Sequence, residues 1–195
     1  MALDTPVTLD PKRTALVLID LQNGIVGMPT QPRSGADTLA AGKALAERFR
    51  AAGAPVVLVN VAFAPDFADA PPSNVDEPMR LSAGGLPEGW SELAPGLAQA
   101  SDIRVTKRNW GAFHGTELDT VLRRRGVTTI VLGGIATNMG VEGTAREAWA
   151  HGYDLVVVED ATSGVSTELH EMAFRHILPR LGRVRSSAAV QFAHG

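Results

Sequence analysis

None of the 195 residues is cysteine, which excludes disulfides, thiolate metal sites and cysteine nucleophiles from the outset. Aromatic residues make up only 5% of the chain, and no apolar run approaches the roughly 20 residues that span a bilayer. Residues 1–10 carry neither the basic nor the apolar region of a signal peptide, so the expectation is a cytoplasmic protein with no membrane partner. Positive charge is not in excess either: 18 Lys and Arg against 21 Asp and Glu give a formal net charge of −3. No basic surface is available to neutralise a phosphate backbone, and nucleic acid is not an expected partner. What remains is ordinary for a globular chain, with 45% hydrophobic and 20% charged residues, which excludes disorder and collagen-like repeats. At about 150 residues per domain, this length predicts one domain over the whole chain with a core at about 14–185.

Short apolar runs alternate with stretches of helical period. Thr14–Leu21, Pro55–Val61, Thr128–Ile135 and Asp154–Val158 are rich in Val, Ile and Leu and mostly do not alternate, as expected for strands buried on both faces of a parallel sheet. Asp102–Thr106 reads as a weaker strand and Arg183–Arg185 as a last edge strand. Helices are predicted over Ala36–Ala52, Thr116–Arg125 and Asn138–His151, each followed by glycine, and from Ser166 to about Leu181 with Pro179 in the last turn. This order implies right-handed crossovers and a three-layer α/β/α domain around a mostly parallel, six-stranded, Rossmann-like sheet. Residues 62–100 break the rhythm with six prolines and no convincing strand. Such a segment covers a site or reaches a partner subunit, and a plain surface excursion is the equal alternative.

In an open parallel sheet, ligands bind beyond the carboxyl ends of the strands. That rule selects Asp20 after the first strand, Lys107 after the weak third strand, and Gly133–Gly140 (GGIATNMG) between the fourth strand and its helix. Each has a plainer reading: Asp20 as a loop cap, Lys107 as a solvated cation beside Arg108, and the helix start as one capped by Thr137 or Asn138. Together they aim an acid, a base and a row of free backbone amides at one pocket, where each tunes the others.

Three segments carry a resemblance: Asp20–Gly24 (DLQNG), Thr106–Leu118 (TKRNWGAFHGTEL) and Gly133–Ser163 (GGIATNMGVEGTAREAWAHGYDLVVVEDATS). Over about residues 14–185 the chain resembles the isochorismatase-like, or cysteine hydrolase, superfamily, which includes nicotinamidases, other amidohydrolases and isochorismatases. The resemblance implies a parallel sheet flanked by helices and an Asp, Lys, Cys triad. It places Asp20 as the acid/base, Lys107 as its electrostatic partner and Gly140 where the nucleophile would stand. It also implies a non-proline cis peptide between Ile135 and Ala136, with the amides of Ala136 and Gly140 donating to a substrate oxygen. Gln22, Ile135 and Thr137 in the same segments are candidate substrate contacts.

The departures from the family pattern direct the chemistry. Gly140 has no side chain, so the thioester route of the amidohydrolases is closed. Isochorismatases of the superfamily also carry Gly there and hydrolyse a vinyl ether by protonation followed by water addition. Their G-V-Y-A-H segment differs from Gly134, Ile135, Ala136, Thr137, so the substrate is expected to differ. Asn60–Asp69 (NVAFAPDFAD) lacks the histidines of the metal-binding nicotinamidases, and Asp66 and Asp69 alone make a poor metal site, so neither metal nor cofactor is expected. Trp110, Phe113 and Trp90 are candidate pocket aromatics, although burial in the core or at a dimer interface explains them equally; His114 ranks below Asp20 and Lys107. The expectation is thus a nucleophile-free hydrolase acting on an enol (vinyl) ether or a related small polar metabolite, assembled as a homo-oligomer, a dimer or tetramer. The alternatives are a silent member that binds a metabolite or serves assembly, and an amidohydrolase that uses activated water. One difficulty accompanies the first: Lys107 lowers the pKa of an adjacent Asp20, whereas a general acid must hold a proton, so burial or substrate must raise it.

Overall fold

The computed structural model describes residues 3–71, 74–78 and 85–193. In chain order the strands are β1 (Val7–Leu9), β2 (Thr14–Ile19), β3 (Val56–Val61), β4 (Ile103–Lys107), β5 (Thr129–Ile135), β6 (Asp154–Ser163), β7 (Arg183–Arg185) and β8 (Val190–Phe192). The helices are α1 (Asn23–Val26), α2 (Gly35–Ala51), α3 (Leu118–Arg124), α4 (Glu142–Ala150), α5 (Thr167–Met172) and α6 (Leu178–Leu181). Six strands form one sheet in the order β4-β3-β2-β5-β6-β7, every neighbouring pair parallel. The chain runs outward in one direction from β2 and in the other from β5. The switch in strand order therefore falls between β2 and β5, which is where such sheets bind ligands.

Because side chains alternate across a strand, the apolar run of β2 feeds two cores. Ala15, Val17 and Ile19 pack on one face with Leu118 and Leu122 of α3, Ala145 and Ala148 of α4, and Phe174 and Leu178. Leu16 and Leu18 pack on the other with Leu45, Ala46 and Phe49 of α2. Burying one such large side chain stabilises the fold by about 1.5–3 kcal/mol. The second core is completed by β1 and β8, a parallel two-stranded sheet that the sequence pattern did not mark because each strand has only three residues. Ser34 caps α2 by accepting from the Asp37 N–H at 3.1 Å.

Three elements differ from the sequence expectation. β6 runs to Ser163 rather than stopping at Val158, through a register shift against β5 between Leu132 and Gly134. Its second half is polar, so hydropathy could not mark it; Thr162 and Ser163 are buried with their hydroxyls donating to the Val158 and Arg33 carbonyls. The helix expected from Asn138 opens with a wide π turn at Thr137–Val141. The helix from Ser166 is broken by a second π turn at Ala173–Ile177, and Pro179 sits in the first turn of α6, where its missing N–H leaves no helical bond unmade. Part of the serine- and glycine-rich stretch at 82–89 lies outside the described residues.

Candidate active site

The loci selected at the strand ends come together. Asp20 follows β2 with φ +53°, a left-handed conformation that aspartate tolerates better than most residues, and its N–H donates to the Val59 carbonyl at 2.9 Å. Lys107 ends β4, two strands away, a gap of about 10 Å at the usual strand spacing. Its long side chain closes that gap: Nζ lies 2.9 Å from Asp20 Oδ2 and donates to the Asn109 carbonyl at 3.0 Å. Both residues are buried, at 6% and 3% exposure. The other carboxyl oxygen, Asp20 Oδ1, is buried with no hydrogen-bond partner among the described residues.

Gly140 arrives from the far side of the switch point. At the end of β5, Gly134 adopts φ +119°, and a Cβ there would lie 2.1 Å from the Ile19 carbonyl oxygen. Only glycine allows β5 so close to β2. The Ile135–Ala136 peptide is cis, and the following turn sets Gly140 against the acid. A Cβ built on Gly140 would lie 2.8 Å from Ile19 Cγ2, 3.1 Å from Asp20 Oδ2 and 3.6 Å from the Ile135 carbonyl. The position is therefore adjacent to the carboxylate, and it is closed to a larger residue by the Ile19 methyl group.

Burial decides the electrostatics. Removing Asp20 from water pushes its carboxyl from the ordinary 3.8 up to about 6, against the charge and hydrogen bond of Lys107, which pull it down. The desolvation anticipated as one way out of the acid's dilemma is thus present before any substrate binds.

The remaining candidate residues divide. Ile135 is buried beside Gly140. Gln22 is buried but fully engaged: its amide donates to the Val61 and Trp90 carbonyls at 3.0 and 3.2 Å, and its oxygen accepts from the Val61 N–H at 2.8 Å. It acts as a brace between β3 and the long segment and has no amide left to offer a substrate. Thr137 is fully buried with its hydroxyl 2.8 Å from His170 Nδ1. Phe113 does not line a pocket with Lys107; it lies in the core, stacked on His151 at 5.0 Å and beside Tyr153. Trp110 points away into solvent at 63% exposure, and His114 is exposed. Sequence proximity to Lys107 misled for these because the chain turns sharply after β4, where the Glu147 carboxylate packs on Gly111 and accepts the Phe113 N–H at 2.8 Å.

The long segment bears on the site edge. The Asn23 and Gly24 N–H groups donate to the Glu92 and Trp90 carbonyls, and the Ala94 N–H donates to Leu21. The Trp90 ring covers Gly24, where a Cβ would fall within 2.0 Å of it. A cleft of about 310 Å³ opens beyond β3, lined among others by Ala62, Phe63, Phe67, Pro87 and Trp90; the Ala62 N–H donates to the Lys107 carbonyl. Asp69 is occupied by Arg108 at 2.6 Å and by the Ala64 N–H, and no group of three or more metal-ligating side chains occurs among the described residues.

Residues that sequence reasoning passed over are Ile19, Asn109, His170 and Glu159. Glu159 follows the apolar run of β6 as Asp20 follows that of β2, so the strand-end rule could have found it; His170 on α5 carried no such sign.

Comparison with known proteins agrees with this fold. A sequence model of the isochorismatase domain matches residues 14–189. An uncharacterised isochorismatase family protein of Escherichia coli, YecD, is 49% identical over 179 residues, covering 91% of this chain and 94% of its own. RutB of Methylobacterium radiotolerans, a ureidoacrylate amidohydrolase, is 33% identical over 97% of this chain and 83% of its own. Among solved structures, an isochorismatase family protein of Burkholderia thailandensis superposes with a TM-score of 0.89 at 50% identity, covering 95% and 97% of the two chains. The N-carbamoylsarcosine amidase of Thermoplasma acidophilum gives 0.70 at 27% identity, covering 90% and 96%.

Proposed function

The chain belongs to the isochorismatase family of hydrolases, and within it we propose a hydrolase that works without an enzyme nucleophile, with Asp20 as general acid and base. The preferred substrate is a small polar or anionic enol ether. The observation that carries this reading is the asymmetry of Asp20: Lys107 holds Oδ2, Oδ1 is buried with no partner among the described residues, and the carboxyl is raised to about 6. At that value roughly a tenth of the carboxyl is protonated at pH 7, enough for a general acid that regains its proton each cycle.

In this reading the Asp20 carboxyl donates a proton to the terminal carbon of the enol ether, producing an oxocarbenium ion on the neighbouring carbon. Water adds to that carbon, the regenerated carboxylate takes its proton, and the hemiketal collapses to an alcohol and a ketone. Lys107 stabilises the carboxylate form, and the Ala136 and Gly140 amides are assigned to a substrate oxygen. Gly140 presents only backbone to the site, with no side chain where the family resemblance places a nucleophile. The meeting of the two charged side chains in buried surroundings supports an active site over a silent binding module.

A second reading draws on the relatives named as an amidohydrolase and an amidase. There the Asp20 carboxylate activates a water that attacks an amide or ureido carbonyl directly. Turnover of a panel of small carboxylated enol ethers, ureido acids and primary amides by the purified protein separates the two. Cleavage confined to enol ethers supports the first reading, and cleavage confined to amides or ureido acids replaces it with the second.

The proposed setting is the cytoplasm, and no helix among the described residues is long and apolar enough to cross a membrane. The proposed assembly is a homo-oligomer, supported by the exposed rings of Trp110 and Trp149, at 63% and 59% exposure.

A further inference from the structure

A row of polar groups, buried at its Thr137 and His170 end, leads away from the turn that carries Gly140. The Thr137 hydroxyl lies 2.8 Å from His170 Nδ1, His170 Nε2 lies 3.0 Å from Glu159 Oε1, and Glu159 Oε2 accepts from Arg33 at 2.8 Å. Arg33 also donates to the Glu159 and Thr162 carbonyls. The hydrogen bond from His170 is the main influence holding Glu159 below the usual carboxylate range, burial opposing it and the Arg33 charge assisting. An ionised carboxylate can only accept, so His170 Nε2 donates to Glu159, and Nδ1 is left facing the Thr137 hydroxyl.

A hydroxyl, an imidazole and a carboxylate in a row are the parts of an activated nucleophile. Here there is no room for that use. Thr137 is fully buried and His170 is 2% exposed, and a Cβ on Gly164 would lie 3.3 Å from Thr137 Oγ1. What the row does reach is the backbone. Thr137 begins the π turn Thr137–Val141, in which the Ala136 carbonyl accepts both the Met139 and the Val141 N–H groups. Its side chain ties that turn to α5 through His170 and to β6 through Glu159.

We propose that His170 and Glu159 are positioning residues for hydrolysis: through the Thr137 hydroxyl they hold the Ala136–Gly140 backbone in register with Asp20. The proposal rests on the reading of the Ala136 and Gly140 amides as donors to the substrate. Displacement by about 1 Å at such donors costs on the order of 100-fold in rate. The same carboxylate also anchors, through Arg33, a segment joined by the paired bonds between Gln31 and Gly164 to the residue that follows β6.

The test compares Thr137→Val, which keeps the shape and removes the hydroxyl, with Thr137→Ser, which keeps the hydroxyl. Glu159→Ala provides a second route from the half-buried part of the row. Two quantities are read: the Gly140 amide hydrogen-exchange rate by NMR, and kcat and KM on an enol ether or amide that the natural protein turns over. The expected result for Thr137→Val and Glu159→Ala is exchange at least about tenfold faster and kcat at least about tenfold lower with KM little changed, a loss confined to the transition state. Thr137→Ser should match the natural protein in both. Natural exchange and natural kcat in Thr137→Val overturn the proposal, as does faster exchange with unchanged kcat, or a Ser variant as impaired as the Val variant. Should the natural protein turn over nothing in the panel, the proposed function fails, and Gly140 exchange alone decides whether the row anchors the turn.

Discussion

Lys107 Nζ holds one oxygen of Asp20 at 2.9 Å, and the other oxygen is buried with no partner among the described residues. A structural ion pair would satisfy both carboxyl oxygens, since an unpaired buried acceptor costs about 1–3 kcal/mol. In the proposed function this oxygen is the one that meets the substrate, and Lys107 orients it.

Asp20→Asn keeps the shape of the side chain and removes the exchangeable proton. Turnover should fall by about 10²- to 10⁴-fold, the usual cost of losing a general acid/base. Steady-state kinetics on a substrate of the natural protein checks this, and a variant retaining a tenth or more of the natural rate would remove Asp20 from the chemistry.

The raised Asp20 carboxyl has a consequence for stability. A folded-state pKa of about 6 against 3.8 means the folded chain binds this proton more tightly than the unfolded chain. The contribution of Asp20 is then greatest below about pH 4, shrinks as pH rises through about 6, and is level above about pH 7. Asp69, Asp119 and Glu159 are shifted downward and act in the opposite direction, so the difference between Asp20→Asn and the natural protein isolates the effect. Urea unfolding should show the variant gaining on the natural protein by up to about 3 kcal/mol between about pH 4 and 7. A pH-independent difference would show that the carboxyl is not raised.

Much of the fold was legible because the buried strands read as continuous Val, Ile and Leu runs and the helices α2, α3 and α4 end at Gly53, Gly126 and Gly152, as read. The meeting of Asp20, Lys107 and Gly140 followed from one topological rule applied to strand ends. What escaped was written in no periodic pattern. The polar half of β6 is held by side-chain hydrogen bonds instead of hydropathy, the π turns leave the helical period, and β1 and β8 are three residues each. Trp110 and Phe113 are close to Lys107 in sequence but diverge after β4, one into solvent and one into the core. Thr137 and Gln22 lie in the right segments, but their polar groups are spent on His170, Val61 and Trp90.

Gly140→Cys restores a thiol at the position where the family resemblance places a nucleophile, yet its Cβ would meet Ile19 Cγ2 at 2.8 Å. The variant should be less stable by about 1–3 kcal/mol, the usual cost of overpacking. The same substitution made on an Ile19→Ala background should cost less, with a coupling of at least about 0.5 kcal/mol. Iodoacetamide should add once to Gly140→Cys and not to the natural protein, read by intact mass. Equal stability of Gly140→Cys and the natural protein would show that Ile19 does not close the position.

Protonation at carbon by Asp20, with no enzyme nucleophile, is read by running the reaction in D2O on an enol ether and following the early product by NMR. Protonation at carbon must place one deuterium on the carbon that carried the double bond, at a rate that Asp20→Asn lowers at least about 100-fold. Product free of carbon-bound deuterium, or labelling that proceeds equally well in Asp20→Asn, would exclude carbon protonation by Asp20.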